Sequence, residues 1–456
     1  MIANHLTHKR QQPRRNPLHG LVLGTPKMKV DIVSRELIKP SSPTPSDLKN
    51  FKLSFIDQCI PPSYVPLVLY FLYDETSNIT QSAMSDRLRG SLSDALTLFY
   101  PLAGRMEDRS SVNCSDEGAS YQEARVDGQI STIIESAEVE VLDLLVPYEL
   151  NGIGLDVEEQ LAIQVNLFNC GGIAIGICLS HKIGDARTFC TFIKGWAAIA
   201  CKDSNFIGPI FNSASLFPPV HSSEYKPDTR SPAIQLPVER LVTKRFVFTS
   251  SAIAELKAKV VSSSSVIRPT RVEVVTALIW KCGIAAAGID ERKSSVAFHP
   301  VNLRGRMAPP LPECSFGNIF QMATAAADGE TELRFLVGKL RAAFEKMDSR
   351  FTRDLLGENG VQVVNNNFKE IGKLLTQGHA RVFRFSSWCG FPTYEADFGW
   401  GKPSWVSSTA NFLIKDHIFL LESRLAGGIE AWVVMAEQDM TKFEQEPELL
   451  HFLVSK

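Results

Sequence analysis

His181 and Asp185 are the residues whose types and spacing first suggest chemistry. They end the stretch GGIAIGICLSHKIGD, in which an almost wholly apolar run leads into the histidine and the aspartate follows four positions later. Histidine has an ordinary pKa of about 6.5, which suits the removal of a proton near neutral pH. A histidine at a strand end is also a common structural residue. The pattern nevertheless makes His181 the candidate general base.

The elements on either side of His181 favour this interpretation. The apolar run is long enough for one buried β-strand, and α/β folds bind ligands at the carboxyl ends of their strands. Gly184 permits a tight turn after the strand. The following residues, ARTFCTFIKGWAAIACK, have the 3.6-residue period of an amphipathic helix that Asp185 can cap. The sequence therefore predicts a strand, a turn and a helix around the histidine.

Asp185 has two possible roles at this point. If the segment were one continuous helix, His181 and Asp185 would share a face and could form a His–Asp dyad. If a strand ends at His181 and a helix begins near Asp185, the carboxylate points into the scaffold. It then needs a cationic partner, because a buried unpaired carboxylate is costly. We prefer the second role.

The composition limits the classes of partner. The chain is 44% hydrophobic and 21% charged, with a formal net charge of −2. This balance gives no electrostatic reason to expect a nucleic acid or a membrane surface as partner. No apolar run reaches the roughly 18 residues of a membrane span. The nine cysteines form no CxxC pair, so we expect neither a metal site nor a disulfide framework. The same cysteine usage favours a cytoplasmic location.

The length of 456 residues predicts two domains. Residues 1–27 contain no acidic residue and no helical period, and we expect a disordered extension, with a transit peptide as the alternative. An N-terminal domain over 28–210 carries the HxxxD pattern. A proline- and serine-rich crossover linker spans 211–239, and a C-terminal domain covers 240–456. Both halves mix strands with helices, which indicates an α/β fold.

Two motifs together resemble a known enzyme family. HKIGD at 181–185 and DFGWG at 397–401 lie about 215 residues apart, as in the plant BAHD acyl-CoA-dependent acyltransferases. The resemblance covers nearly everything from Met28 onward. It is closest to the vinorine synthase and deacetylvindoline acetyltransferase group, through the segments SSPTP, SHKIGD, VNLRGRMAPPLP, SWC and DFGWGKP.

The resemblance implies two chloramphenicol-acetyltransferase-like domains of mixed sheet and helices, with a solvent channel at their interface. Acetyl-CoA would be the co-substrate and a small-molecule alcohol the acceptor, without a metal. The expected enzyme is an O-acetyltransferase acting on an alkaloid, a terpenoid or a similar plant metabolite, and we expect a monomer. Two alternatives remain: an N-acyltransferase acting on an amine, or an inactive member of the fold that only binds small molecules.

The resemblance also implies roles for individual residues. His181 matches the catalytic histidine, and Asp185 matches a residue that turns away from the channel to pair with an arginine, here Arg304. Asp397 matches a residue sometimes described as catalytic, which we interpret as structural. Trp388, in SSW, is either the donor for the reaction's oxyanion or a core tryptophan.

The phosphates of acetyl-CoA require cations or amide donors. The segment RPTRVEVVTALIWK offers Thr270, Arg271 and a helix N-terminus, where the helix dipole favours anions. We therefore take Thr270 and Arg271 as candidate contacts to the co-substrate.

Overall fold

A computed structural model describes most of the chain. It covers residues 28–74, 79–147, 159–220, 239–263, 268–288, 294–329, 331–376, 381–408 and 414–453. The predicted extension, 1–27, and most of the predicted linker, 221–238, lie outside the described residues. The boundaries proposed for the domains therefore stay a prediction.

The strands and helices are numbered here in chain order. The strands are β1 (Lys29–Ile38), β2 (Asn50–Lys52), β3 (Tyr64–Phe71), β4 (Arg105–Met106), β5 (Ser111–Asn113), β6 (Ala119–Asp127), β7 (Leu161–Phe168), β8 (Ile173–Ser180), β9 (Leu241–Phe248), β10 (Ser294–Asn302), β11 (Phe320–Asp328), β12 (Arg381–Ser387), β13 (Trp405–Ser407), β14 (His417–Glu422) and β15 (Ile429–Ala436). The helices are α1 (Phe55–Cys59), α2 (Gln81–Leu98), α3 (Ile130–Ser136), α4 (Val139–Leu142), α5 (Ala186–Ala200), α6 (Ser213–Leu216), α7 (Ser250–Ser263), α8 (Arg271–Ala286), α9 (Leu333–Glu345), α10 (Ser349–Leu356), α11 (Gly360–Thr376), α12 (Glu437–Phe443) and α13 (Pro447–His451).

The first sheet contains β8, the strand that leads to His181. Its order is β1-β6-β7-β8-β3-β13, and β8 is antiparallel to both of its neighbours. Every residue of β8 is buried, which explains why the strand is a continuous apolar run instead of an alternating one. Helices α2 and α5 pack together, and the Trp196 indole N–H donates to the Ser91 hydroxyl at 3.0 Å. The predicted strand and helix around the histidine are both present.

The second sheet has the order β11-β10-β12-β14-β15-β9. Its three central strands, β10, β12 and β14, run parallel, so their carboxyl ends meet at one edge. Helices α7, α8, α9 and α12 contribute to a second hydrophobic core with this sheet. The predicted α/β fold of two units, each with a mixed sheet and helices, is confirmed.

Strand β13 connects the two halves of the chain. It follows the DFGWG segment, yet it pairs antiparallel with β3 of the first sheet, with Trp405 opposite Tyr70. The Tyr70 hydroxyl and the Ser407 hydroxyl lie 3.1 Å apart across this pair. The chain then returns to the second sheet as β14. The first sheet is therefore completed by a strand that is encoded more than 330 residues after β3.

Within the described parts of the chain, no helix is both long enough and apolar enough to span a bilayer.

Candidate active site

His181 lies immediately after β8, in the turn that leads to α5. Its main-chain N–H donates to the Ser63 carbonyl oxygen at 2.8 Å. Its own carbonyl oxygen accepts from the Asn318 Nδ2 at 2.8 Å. The imidazole lies beside Phe320, with 6.1 Å between ring centroids. Because Asn318 and Phe320 come from the second half of the chain, the histidine sits where the two halves meet.

The environment of the His181 ring keeps it neutral. Burial lowers its pKa below the ordinary value, although its own carbonyl, the Asp185 charge and the Asn318 side chain act in the opposite direction. A neutral imidazole can accept a proton, so the ring is in the form that a general base requires at neutral pH.

Asp185 caps α5 and is fully occupied by other partners. One carboxylate oxygen accepts from the Thr188 main-chain N–H at 2.9 Å, and the other accepts from the Ile319 N–H at 3.0 Å. The Arg304 guanidinium donates to both oxygens, at 2.8 and 3.1 Å. Burial alone would raise the Asp185 pKa, but the Arg304 charge and these hydrogen bonds lower it. The carboxylate is therefore ionised and directed into the scaffold.

Arg304 lies in the turn after β10 and is 0% exposed. Besides Asp185, its guanidinium donates to the Ser315 carbonyl at 2.8 and 3.0 Å and to the Gly317 carbonyl at 3.1 Å. It also reaches the Asn302 amide oxygen at 3.1 Å. A buried guanidinium needs this many acceptors because its charge is otherwise costly to desolvate. The pair holds the N-terminus of α5 against the second half of the chain.

Three residues near His181 had no role in the sequence-based interpretation. The buried Asp57, in α1, accepts from the Asn318 N–H at 2.7 Å and from its Nδ2 at 2.8 Å. The Lys182 ammonium donates to the carbonyls of Asp57, Gln58 and Ile60 at 2.9 to 3.2 Å. The third residue is Asn318, the last residue of the segment FGN at 316–318, and nothing in the sequence showed that this asparagine contacts Asp57.

Asp397 is a turn residue that lies far from His181. Its carboxylate accepts from the main-chain N–H groups of Gly399 at 2.7 Å and Gly401 at 3.0 Å. Both glycines have positive φ, 100° and 104°, which glycine adopts readily. The Asp397 carbonyl accepts from Cys201, at the carboxyl end of α5, at 3.1 Å. His181 precedes the opposite end of this helix, whose 15 residues span about 22 Å. The structure does not bring the two motif residues together.

Trp388 follows β12 and packs at the same end of α5 as His181. Its indole contacts Phe189, in the first turn of α5, with 5.7 Å between ring centroids, and Phe419 at 5.6 Å. The residue is 4% exposed. Among the described residues, none accepts a hydrogen bond from the indole N–H. Both interpretations, core tryptophan and oxyanion donor, fit this position.

Thr270 and Arg271 are engaged with protein partners. Thr270 caps α8, with its hydroxyl accepting from the Glu273 N–H at 3.1 Å. The Arg271 guanidinium makes two hydrogen bonds to Glu422, at 2.6 and 3.0 Å. The two carboxylates make this helix N-terminus less attractive to phosphate than the sequence indicated. Contacts of these residues with the co-substrate stay a prediction.

The sequence is similar to a known protein family and to several plant enzymes. Residues 28–450 match the Transferase family. Stemmadenine O-acetyltransferase of Catharanthus roseus is 37% identical, over 91% of this chain and 96% of that protein. Limonoid 1-O-acetyltransferase of Citrus sinensis is 39% identical, over 93% of this chain and 98% of that protein. Vinorine synthase of Rauvolfia serpentina is 38% identical, over 91% and 96%.

Solved structures give a consistent comparison. The crystal structure of vinorine synthase superposes with a TM-score of 0.80 at 34% identity, covering 94% of this chain and 99% of that one. F. sporotrichioides TRI101, complexed with coenzyme A and T-2, gives a TM-score of 0.69 at 17% identity, over 89% and 99%. At that identity the second likeness shows a shared fold alone.

Proposed function

The chain belongs to the Transferase family of BAHD acyltransferases, and from this membership we propose that it moves an acetyl group from acetyl-CoA to a hydroxyl group of a plant specialised metabolite. Relatives at 37 to 39% identity are named as O-acetyltransferases of stemmadenine and of limonoids, so alkaloid and terpenoid alcohols are the acceptor classes to test. The observation that carries the proposal is His181. It is a half-buried, neutral histidine that both halves of the chain hold in place.

The proposed reaction is a single acyl transfer. His181 removes the proton from the acceptor hydroxyl while the oxygen attacks the thioester carbonyl of acetyl-CoA. The tetrahedral oxyanion then collapses, the carbon–sulfur bond breaks, and the ester is released. The protonated imidazole returns its proton to the departing thiolate, so the histidine ends in its starting form.

The other site residues have supporting roles in this proposal. The Trp388 N–H is the candidate donor to the oxyanion, since no described residue uses it and it packs against the first turn of α5. The Asp185–Arg304 pair orients the turn that carries His181. Asp397 shapes the loop before β13 and takes no part in proton transfer. Arg271 would bind a CoA phosphate only after exchanging its Glu422 partner.

The remaining parts of the proposal concern the setting of the enzyme. Acetyl-CoA and the acceptor would reach His181 from opposite faces of a channel between the two domains. We infer a monomer in the cytoplasm. The nine cysteines all lie in the described ranges and form no disulfide there, which is compatible with a reducing compartment.

A thiol-release assay tests the proposed function. Purified protein is incubated with acetyl-CoA and, separately, with alkaloid alcohols, limonoid alcohols and polyamines, and His181→Ala is the control. We expect thiol release and an acetyl ester with an alcohol acceptor. Acetylation of the amines alone would establish the N-acyltransferase alternative. Binding of acetyl-CoA without turnover on any acceptor would favour the inactive alternative.

A further inference from the structure

The side chain of Asn318 links Asp57 to His181 where the two halves of the chain meet. Its Nδ2 donates to the Asp57 carboxylate at 2.8 Å and to the His181 carbonyl at 2.8 Å. The Asn318 main-chain N–H donates to the same Asp57 oxygen at 2.7 Å. The His181 carbonyl cannot donate, and the Asp57 oxygen already accepts the Asn318 main-chain N–H, so the amide has one orientation, with its nitrogen on these two acceptors.

This orientation fixes where the amide oxygen points. The Asn318 Oδ1 is buried and has no well-aligned hydrogen bond from a described residue, and the same holds for the His181 Nδ1. The two atoms belong to residues that are already joined by the hydrogen bond from the Asn318 Nδ2 to the His181 carbonyl. The Asn318 side chain acts on the ring in the direction that raises its pKa, as do the carbonyls of His181 and Gly184. An amide oxygen accepts and cannot donate, so it favours a proton on the ring nitrogen that faces it.

We propose that Asn318, held by Asp57, is the positioning residue that keeps the His181 proton on Nδ1 and leaves Nε2 as the bare base. The inference rests on the proposed function, in which His181 accepts the proton of the acceptor hydroxyl. Asp185, the dyad candidate of the sequence, cannot serve here because its carboxylate already accepts four hydrogen bonds. The orienting group thus comes from the other half of the chain.

Four charged groups surround this arrangement. Asp185, paired with Arg304, lies beyond the turn and favours a protonated ring. Asp57 lies behind the Asn318 amide. The Lys182 ammonium, which follows β8, donates to the Asp57 carbonyl at 2.9 Å and interacts favourably with the Asp57 carboxylate. A substitution at Asn318 keeps all four of these residues. It removes one of the hydrogen bonds that lower the Asp57 pKa, while burial, which raises that pKa, is unchanged.

Nitrogen NMR of the histidine rings measures the tautomer directly. Protein labelled with ¹⁵N-histidine is titrated with acid, and the His181 signals are identified by their loss in His181→Gln. We expect a neutral ring protonated at Nδ1 in the wild-type protein. In Asn318→Ala, both tautomers should be populated and the ring pKa should fall. No acceptor is required, so failure here is distinct from failure of the proposed function.

Asn166→Ala is the matched control. Asn166 is also 0% exposed, and its Nδ2 donates to the carbonyls of Leu145 at 2.9 Å and Ala174 at 3.2 Å, inside the first sheet. This variant should lose a comparable amount of stability and keep the His181 spectrum. If Asn318→Ala does not fold, Asn318→Thr gives the same measurement, because threonine has nearly the volume of asparagine and lacks the amide.

Kinetics supply the second readout once an acceptor is known. The turnover of Asn318→Ala should fall at least about 10-fold, toward the roughly 10⁴-fold cost of a wrong histidine tautomer in serine proteases, while KM for acetyl-CoA changes little. An unchanged Nδ1–H tautomer and an unchanged ring pKa in Asn318→Ala would overturn the proposal. So would the same spectral change in Asn166→Ala.

Discussion

At the scale of single residues, the chemistry depends on how the protein keeps one imidazole neutral. Burial of His181 disfavours its charged form, so its pKa lies below the ordinary value of about 6.5. The base form is lost only as pH falls through this lowered pKa. The rate of acyl transfer should therefore be insensitive to pH near neutrality and should decline only in more acidic solution.

Replacing the histidine is the direct residue-scale prediction. His181→Ala should lower turnover by about 10²–10⁴-fold, the typical contribution of a general base. The fold should persist, because the ring makes no well-aligned hydrogen bond through Nδ1 to a described residue. Circular dichroism and the thiol-release assay check both parts. A folded variant with near-normal turnover would exclude the mechanism.

The role of the Trp388 indole can be tested by a substitution that removes its N–H donor and keeps an aromatic side chain. Trp388→Phe should lower turnover by up to roughly 10²-fold if the N–H binds the oxyanion. Trp196→Phe is the control, because that indole N–H donates to Ser91 within the first core and has no part in the reaction. Equal turnover in Trp388→Phe and the wild-type enzyme would show that Trp388 contributes to packing and not to oxyanion binding.

At the scale of elements, the Asp185–Arg304 pair fixes the N-terminus of α5 against the turn that follows β10. Asp185→Ala leaves a fully buried guanidinium without its counter-charge, which costs about 3–5 kcal/mol of unfolding free energy. We expect low soluble yield and a depressed melting temperature, with activity lost through the displaced His181. Arg304→Ala should behave similarly, and the double variant should lose less than the sum of the two.

A catalytic dyad would give the opposite pattern. Asp185→Ala would then remain stable, turnover alone would fall, and the effects of the two substitutions would add. The pH dependence of the unfolding free energy gives a further test of the Asp185–Arg304 pair. The pKa of Asp185 is lowered in the folded protein, so its contribution is present above the unfolded value, about 3.9, and is lost as pH falls through the folded pKa.

The DFGWG loop is the second element whose role can be separated from chemistry. Asp397→Ala removes the acceptor for the N–H groups of Gly399 and Gly401, and should lower the melting temperature. Any loss of turnover should leave the pH profile unchanged, because the loop contacts the far end of α5 from His181. A displaced acid limb in the pH–rate profile would instead indicate that Asp397 titrates with the catalytic histidine.

The sequence predicted the local elements better than the contacts between distant segments. The strand before His181 and the helix capped by Asp185 follow from apolar periodicity and capping preferences, which are local properties. The pairing of Asp57 with Asn318 joins residues 261 positions apart, and no local pattern encodes it. The glycines of DFGWG are typical of a turn, but nothing in the sequence alone assigns the following strand to the first sheet.

At the scale of the whole molecule, β13 makes the first sheet depend on the second half of the chain. Replacing residues 405–407 by three glycines weakens the pairing of β13 with β3 and keeps β14 and β15 of the second sheet in the chain. The backbone edge of β3, a mostly buried apolar strand, is then poorly protected. We expect this variant to aggregate, as measured by its soluble fraction after expression. The matched control carries three glycines at residues 50–52, in β2, which pairs with β5. A soluble, monomeric 405–407 variant would show that β3 does not need its partner.

The late position of β13 also has a consequence for biosynthesis. Chains are synthesised at about 5–20 residues per second. The 334 residues from Phe71, the last residue of β3, to Trp405, the first of β13, therefore take roughly 20 to 70 s to translate. During this interval the nascent first sheet exposes a hydrogen-bonding edge that other nascent chains could join. Slow translation or a shortage of ribosome-associated chaperones should thus reduce the yield of this enzyme more than that of a protein whose sheets are each complete when their own domain emerges.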